Sequence, residues 1–238
     1  ALVSAHIPPQ SYAEAWDAPG LHTEILRIYG LDLPVQRYLP AFAPRNASGK
    51  AITLRQLMSH YSGLVREPPA GHYFDDSGTS LAATVASLNG TSLVYPPETR
   101  RKYSNAGIAV VGSVLEQQGK QPFAGFLKTN VLQPLGLASS AFEPESALVS
   151  RLARAEMWTL HQRSFEAPTF QLGMSPAGSM YSTMPDLARF MSVLFAGGRG
   201  PGGCQYREAH RREAVGEGGL RAEALGVALH ELRSLGPD

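Results

Sequence analysis

The chain has 238 residues, 43% of them hydrophobic, enough to bury a sizeable core as one large domain or two interleaved subdomains. Lys and Arg number 21 against 20 for Asp and Glu; a net charge of +1 gives no field to gather nucleic acid, and no apolar run approaches the ~18 residues that cross a bilayer. One cysteine, Cys204, excludes an internal disulfide, and no CxxC or HExxH spacing offers a metal site, so no cofactor is expected and a small molecule or another protein is the expected partner.

Residues 1–26 carry Pro8-Pro9 and Pro19-Gly20 without a sustained period, which predicts irregular structure with one short helix. The prolines at 34 and 40 in "LDLPVQRYLPAF" forbid a long helix and predict an extended, partly buried connection. Thr53 and Gln56 have capping-box spacing, with Leu54, Leu57 and Met58 as an apolar stripe and Ser62-Gly63 as the stop. "SLAATVASLNG" (80–90) predicts a second short helix closed by Asn89-Gly90. A third follows Asn105, with Ile108, Val111 and Leu115 on one face and Gly119 past its end. Pro122 opens a fourth, in which Phe123, Phe126 and Leu127 face inward.

Short alternating pieces over 163–182 suit strands. The last helix has Thr183 as cap, Asp186 in its first turn, and Leu187, Phe190, Met191, Leu194 and Phe195 at offsets of three and four, ending at Gly197-Gly198. Residues 197–238 are rich in Gly and Arg and poor in large apolar groups, with one weak amphipathic segment at 220–232. The sequons at Asn46 and Asn89 are short patterns of the kind that arise by chance, and there is no internal repeat.

A polar trio, Tyr103-Ser104-Asn105, stands at the mouth of the third helix. Ser104 or Asn105 can cap it, and Tyr103 can bury its ring while its hydroxyl finds a partner. Tyr-x-Asn by itself is too short to name a function. The neighbouring Arg100, Arg101 and Lys102 read as a solvated surface. His60 has no acidic partner placed by sequence, which gives it a packing or hydrogen-bonding role, and the other six histidines form no cluster. The Gly run from 197 to 203 follows a helix rather than a strand, which argues against a phosphate cradle.

Five blocks in order narrow the reading: "LDLPVQRYLPAF", "AITLRQLMSHYSGL", "YPPETRRKYSNAGIAVVGSVLEQQGKQPF", "LQPLGLASSAF" and "SPAGSMYSTMPDLARFM". Over residues 27–196 the chain resembles the serine β-lactamase-like family, which includes class C β-lactamases, D-alanyl-D-alanine carboxypeptidases, penicillin-binding proteins and esterases. The resemblance implies an α/β fold of the β-lactamase/transpeptidase type, here a helical subdomain plus an incomplete antiparallel sheet. Residues 1–26 would be a divergent N-terminal segment and 197–238 a divergent tail. It also implies hydrolysis of a small amide or ester through an acyl-serine, in an extracytoplasmic setting; no compartment and no oligomeric state is written in the residues themselves. In the family the tyrosine of Tyr-x-Asn helps move a proton and the asparagine contacts the substrate amide, roles that fall on Tyr103 and Asn105. Ser175, Gly178 and Ser179 resemble a segment lining the cleft, or else form a tight turn.

Two family motifs are missing. The lysines at 50, 102, 120 and 128 are preceded at the third position by Ala47, Thr99, Gln117 and Gly125, so no Ser-x-x-Lys exists. Thr99 has the offset but lies in the loop directly before Tyr103, outside the context a nucleophile needs. Lys128-Thr129-Asn130 imitates the family's Lys-Thr-Gly but is expected to end the Phe123 helix, its basic residue complementing the dipole. A free phenol, with a pKa near ~10, is only about 0.1% ionised at pH 7, and the family's lysine that lowers this barrier has no counterpart here. Loss of the nucleophile costs a serine hydrolase on the order of 10⁶ in turnover. The chain alone is therefore expected to be inactive, either as a truncated or rearranged piece of a hydrolase or as a non-catalytic relative that binds a ligand or protein. The loss of pattern at both ends favours the first.

Overall fold

The computed structural model describes residues 31–143, 146–159, 163–167 and 171–195. The irregular segment expected over 1–26, the Gly197-Gly198 helix stop, the divergent tail of 197–238 and its amphipathic segment lie outside the described residues.

Between Pro34 and Pro40 the chain makes a 3-10 turn, Val35–Arg37, where an extended connection was expected. The prolines do forbid a long helix, but a single turn starting after Pro34 requires no hydrogen from its nitrogen. Val35 is fully buried and donates its N–H to the Ile52 carbonyl at 2.8 Å, which ties the turn to the next segment. There α1, Leu54–Met58, starts with both halves of the capping box: Thr53 Oγ1 accepts from Gln56 N at 3.3 Å, and Gln56 Oε1 accepts from Thr53 N at 3.0 Å.

Ser80 caps α2, Leu81–Ser87, which tightens into the 3-10 turn Leu88–Gly90. Asn89 does more than stop the helix. Its Nδ2 donates to the Ala41 carbonyl at 2.8 Å and its Oδ1 accepts from Ala43 N at 2.7 Å, fastening two distant segments together. The second sequon asparagine is thus a structural clamp.

The molecule is organised around α3, Asn105–Gly119, in which every residue from Asn105 to Leu115 is buried. The one-sided stripe of Ile108, Val111 and Leu115 understates this. The residues between them are Ala, Val, Gly and Ser, small enough to let neighbours close in on all sides. At Gly112 a Cβ would lie 2.1 Å from Cγ of Pro176, so the 3-10 turn Ser175–Ala177 rests directly on the helix. Lys120, with φ of 50°, closes α3 in the left-handed conformation.

Next, α4, Phe123–Leu127, begins after Pro122 as expected, with Phe123, Phe126 and Leu127 buried. It does not end at Lys128. The backbone widens into a π-turn, Lys128–Leu132, and buried Asn130 donates Nδ2 to the Phe126 carbonyl at 2.8 Å. The Lys-Thr-Asn tripeptide is therefore inside a helical run and not its terminus.

After α5, Ser146–Val149, two three-residue strands form a hairpin: β1, Glu156–Trp158, and β2, Ser164–Glu166, antiparallel with Met157 opposite Phe165. Of the strands expected over 163–182, β2 is present. "GSMYST" supplies only an isolated antiparallel bridge between Ala141 and Tyr181. Finally α6, Met184–Phe195, is capped by Thr183, whose Oγ1 accepts from Asp186 N at 3.4 Å. Buried Asp186 turns its Oδ2 outward to Ser139 N at 2.8 Å and Ser140 Oγ at 2.7 Å, tying the helix start to the 139–140 turn. Phe190 and Val193 enter the core, while Met191, expected in the stripe, is 40% exposed.

Candidate active site

The site is built where the loop after α1 meets the loop before α3. His60 (φ 62°) and Gly63 (φ 74°) both take left-handed backbone, which turns the chain sharply out of α1. A Cβ on Gly63 would fall 1.9 Å from the Tyr95 carbonyl oxygen, so only glycine permits the approach. Across it the second loop is laced to the first. Val94 N donates to Gly63 O at 2.7 Å, Glu98 N to Tyr61 O at 2.9 Å, Lys102 N to His60 O at 2.8 Å and Ala106 N to Arg66 O at 3.1 Å.

Within this frame the three residues of the trio separate into distinct tasks. Ser104 is the cap of α3: its Oγ accepts from Gly107 N at 2.9 Å and donates to the Val65 carbonyl at 2.7 Å. Tyr103 stays 38% exposed, its ring against that of His60 with centroids 4.6 Å apart and the Arg66 guanidinium 5.6 Å from its centre. Asn105 is 2% exposed, and its Nδ2 donates to both carboxylate oxygens of Glu67, at 2.8 and 3.1 Å. Its Oδ1 is buried without a hydrogen-bond partner.

His60 carries the packing and hydrogen-bonding role expected of it. Fully buried, it accepts the Ser104 N–H on Nδ1 at 3.3 Å and the Lys102 N–H on its carbonyl, so it grips the chain on both sides of Tyr103. Arg66 and Glu67 were not singled out in the sequence. Their pairing, Nε to Oε1 at 3.2 Å, places a cation and a carboxylate beside Tyr103 and Asn105. Thr99 donates its Oγ1 to the Pro96 carbonyl at 2.7 Å in an exposed turn, which suits a loop hydroxyl and not a nucleophile. Arg100, expected as solvated surface, is exposed and stacks over Tyr95 at 5.2 Å.

Ser175 and Ser179 come together elsewhere. They line a cavity of about 220 Å³ with Thr79, Glu116, Glu143 and Gln171, and Ser179 Oγ is buried without a hydrogen-bond partner. Glu116 stands eleven residues beyond Asn105 on α3, about 16 Å along the axis, and neither Tyr103 nor Asn105 borders this cavity. Gly178 lies against Tyr73, since a Cβ there would sit 3.2 Å from the phenol oxygen.

The loop that bears Tyr73 is held by one carboxylate. Asp75 Oδ2 accepts from Gly71 N at 2.5 Å and Thr79 Oγ1 at 3.2 Å, and Oδ1 accepts from Ser77 N at 3.1 Å. These bonds, the Gly71 N–H foremost, hold its carboxyl well below the usual carboxylate range. At the tip Phe74 is 95% exposed.

This fold has known counterparts. The profile of the family described as Beta-lactamase matches residues 27–231, so the chain belongs to the β-lactamase family; the match runs on past residue 196, where the quoted blocks stop. Beta-lactamase-like protein 2 of Dictyostelium discoideum is 32% identical over 69% of this chain and 31% of its own length. Penicillin-binding protein 4 of Amycolatopsis lactamdurans is 30% identical over 75% of this chain and 48% of its own length. Among solved structures, EstCE1, a hydrolase with promiscuous acyltransferase activity, superimposes with a TM-score of 0.59 at 26% identity, covering 77% of this chain and 56% of that one. The fold is thus β-lactamase/transpeptidase-like, and the chain spans about a third to a half of the length of these curated relatives. No helix of the described residues is long and apolar enough to cross a membrane.

Proposed function

We propose that this chain supplies the helical half of a serine-hydrolase site that cleaves small amides or esters through an acyl-serine, with Tyr103 and Asn105 facing the substrate. The observation that carries the reading is the head of α3. A half-exposed phenol and a buried carboxamide are fixed two residues apart by Ser104, while His60 grips both flanks of the tyrosine. Such rigid placement is what positioning for proton transfer and amide recognition requires. The hydrolase and penicillin-binding relatives support it at the level of reaction class.

In this chemistry a serine hydroxyl adds to the substrate carbonyl, its proton leaves through a basic group that includes the Tyr103 oxygen, and the same proton departs with the amine or alcohol. Water then releases the acyl group and restores the serine. The nucleophile is the part these 238 residues do not encode, since none of the four lysines follows a serine by three. The chain alone is accordingly without turnover, and the serine and lysine come from sequence outside it. Ser175 and Ser179 have a separate cavity and no lysine partner, so their part is substrate contact at most.

The test is the purified chain with nitrocefin and a p-nitrophenyl ester, followed by labelling with a fluorophosphonate and a fluorescent penicillin. No turnover above a Tyr103→Phe control and no adduct are expected, together with a Ser-x-x-Lys in the flanking coding sequence. Turnover insensitive to Tyr103→Phe, or an adduct on any side chain, would remove the reading. Flanking sequence without that motif in any frame would favour the non-catalytic binding module.

A further inference from the structure

The clamp at the end of α2 is built on the chain's one Asn-Gly pair. Of the asparagines at 46, 89, 105 and 130, only Asn89 is followed by glycine. Its carboxamide reaches a segment 46 to 48 residues earlier, Nδ2 donating to the Ala41 carbonyl at 2.8 Å and Oδ1 accepting from Ala43 N at 2.7 Å. Arg45 joins the same two segments. Its guanidinium donates to the Gly90 carbonyl, its backbone N–H to the Thr91 carbonyl, and its carbonyl accepts from Leu93 N, each at 2.9 Å.

Gly90 has no structural duty in this arrangement. A Cβ there would meet nothing within 4 Å, and its backbone lies outside the left-handed region that glycine alone enters freely. Asn89 and Gly90 are both exposed, so water reaches them. What the glycine does supply is an unshielded amide nitrogen beside the Asn89 side chain. Asparagine is among the thermolabile residues, and this neighbour lets a five-membered ring close on its Cγ.

We infer that Asn89 is a site of spontaneous deamidation guarded by its own clamp, and that the reaction makes opening of the clamp permanent. The Gly90 nitrogen loses its proton and adds to Asn89 Cγ; the Cγ–Nδ2 bond breaks, and Nδ2 takes up a proton and leaves as ammonia. Water then opens the cyclic imide at either carbonyl, giving aspartate or isoaspartate. One water enters, one ammonia departs, and nothing is oxidised.

While the clamp is closed the ring cannot form. Asn89 lies in the 3-10 turn Leu88–Gly90, whose amide N–H groups point back along the turn, and both polar ends of its carboxamide are held by the other segment. Attack needs the two atoms aligned at about 3–3.5 Å. That alignment requires the clamp to open, a local fluctuation that exposed hydrogen bonds allow more often than global unfolding. After reaction the clamp does not re-form. Aspartate sets a second oxygen against the Ala41 carbonyl oxygen, two acceptors with no hydrogen between them. Isoaspartate adds a methylene to the main chain and draws its carboxylate back onto Cα, away from Ala43 N.

The experiment follows the mass of the peptide containing residue 89 while the 238-residue chain is incubated in mildly alkaline buffer, with and without urea sufficient to unfold it. Deamidation adds one mass unit. In urea Asn89 is expected to react before the other asparagines, and in the folded chain at least about tenfold more slowly. Gly90→Ala, whose methyl has open space, is expected to suppress the reaction at least about tenfold in urea and to leave the denaturation midpoint of the folded chain unchanged. The isoaspartyl chain, separated by its added negative charge, is expected to exchange the Ala43 amide at least about tenfold faster than the parent. Asn89→Asp stands for the other product and is expected to lower the denaturation midpoint; should it fail to fold, the aspartyl chain formed from folded protein gives the same measurement. Equal rates with and without urea, earlier reaction at Asn46, or deamidated chains that match the parent in midpoint and Ala43 protection would each overturn the inference.

Discussion

The head of α3 and the β1–β2 hairpin are both short pieces of chain with polar and aromatic residues, yet their surroundings are opposite. Around Tyr103 the backbone N–H groups of Lys102, Ser104 and Ala106 are fastened to the loop after α1, and the helix behind it is buried for eleven consecutive residues. In the hairpin the six strand residues are all exposed, Trp158 at 69%, and Glu156 is paired with Glu166, like charges set opposite each other. The difference teaches where this molecule stores its stability: in long-range lacing onto one central helix, and hardly at all in its small sheet.

The sharpest way to break that contrast is to cut into the helix. Leu115→Ala removes a side chain 1% exposed and is expected to cost about 2–5 kcal/mol, measured by urea denaturation. Gly112→Ala is next, at about 1–3 kcal/mol, because the new methyl meets Pro176 Cγ at 2.1 Å and must push the Ser175–Ala177 turn away. Ala at 112 raises helix propensity, so a gain in stability would show that the turn is not seated on α3.

At the site the expected effect is smaller and local. Ser104→Ala removes the cap from Gly107 N and the donor to Val65 O, at about 1–2 kcal/mol. Faster amide exchange at Gly107 and Ala106 checks it, and exchange confined to the C-terminal end of α3 would contradict it. In the hairpin Trp158→Ser is expected to change stability by no more than about 0.5 kcal/mol. A larger loss in the same denaturation experiment would mean that Trp158 is covered in solution.

What could be read from the residues follows the same division. The Thr53–Gln56 box and the Thr183 cap were legible because a cap is an agreement among residues three or four apart. The all-round burial of α3 was not, because an apolar stripe is easier to see than a helix made of small residues. Its signal was there in "AGIAVVGSV". The 3-10 turn between Pro34 and Pro40 depends on Val35 finding Ile52, a partner 17 positions away that no local pattern announces. Tyr103 and Asn105 stood out as a motif. Glu67 did not, since its bond to Asn105 spans 38 residues and "VREPPAG" reads as ordinary loop.

One loop sharpens the comparison by being tightly bonded and yet peripheral. Asp75 collects hydrogen bonds from Gly71, Ser77 and Thr79, all within its own loop, so its effect is on the loop and not on the whole fold. Its folded carboxyl is depressed below the ordinary value near ~3.9, so what it contributes is fully present above that value and is lost only as pH falls through the lower folded one. The backbone amides of Gly71 and Ser77 are therefore expected to stay protected at pH 4, where an ordinary aspartate is about half protonated, and to exchange freely only in stronger acid. Asp75→Asn is expected to release the same amides at pH 7 while leaving the denaturation midpoint within error. Loss of protection already at pH 5 would mean that the carboxylate does not hold the loop, and that Phe74 at its tip is placed by something else.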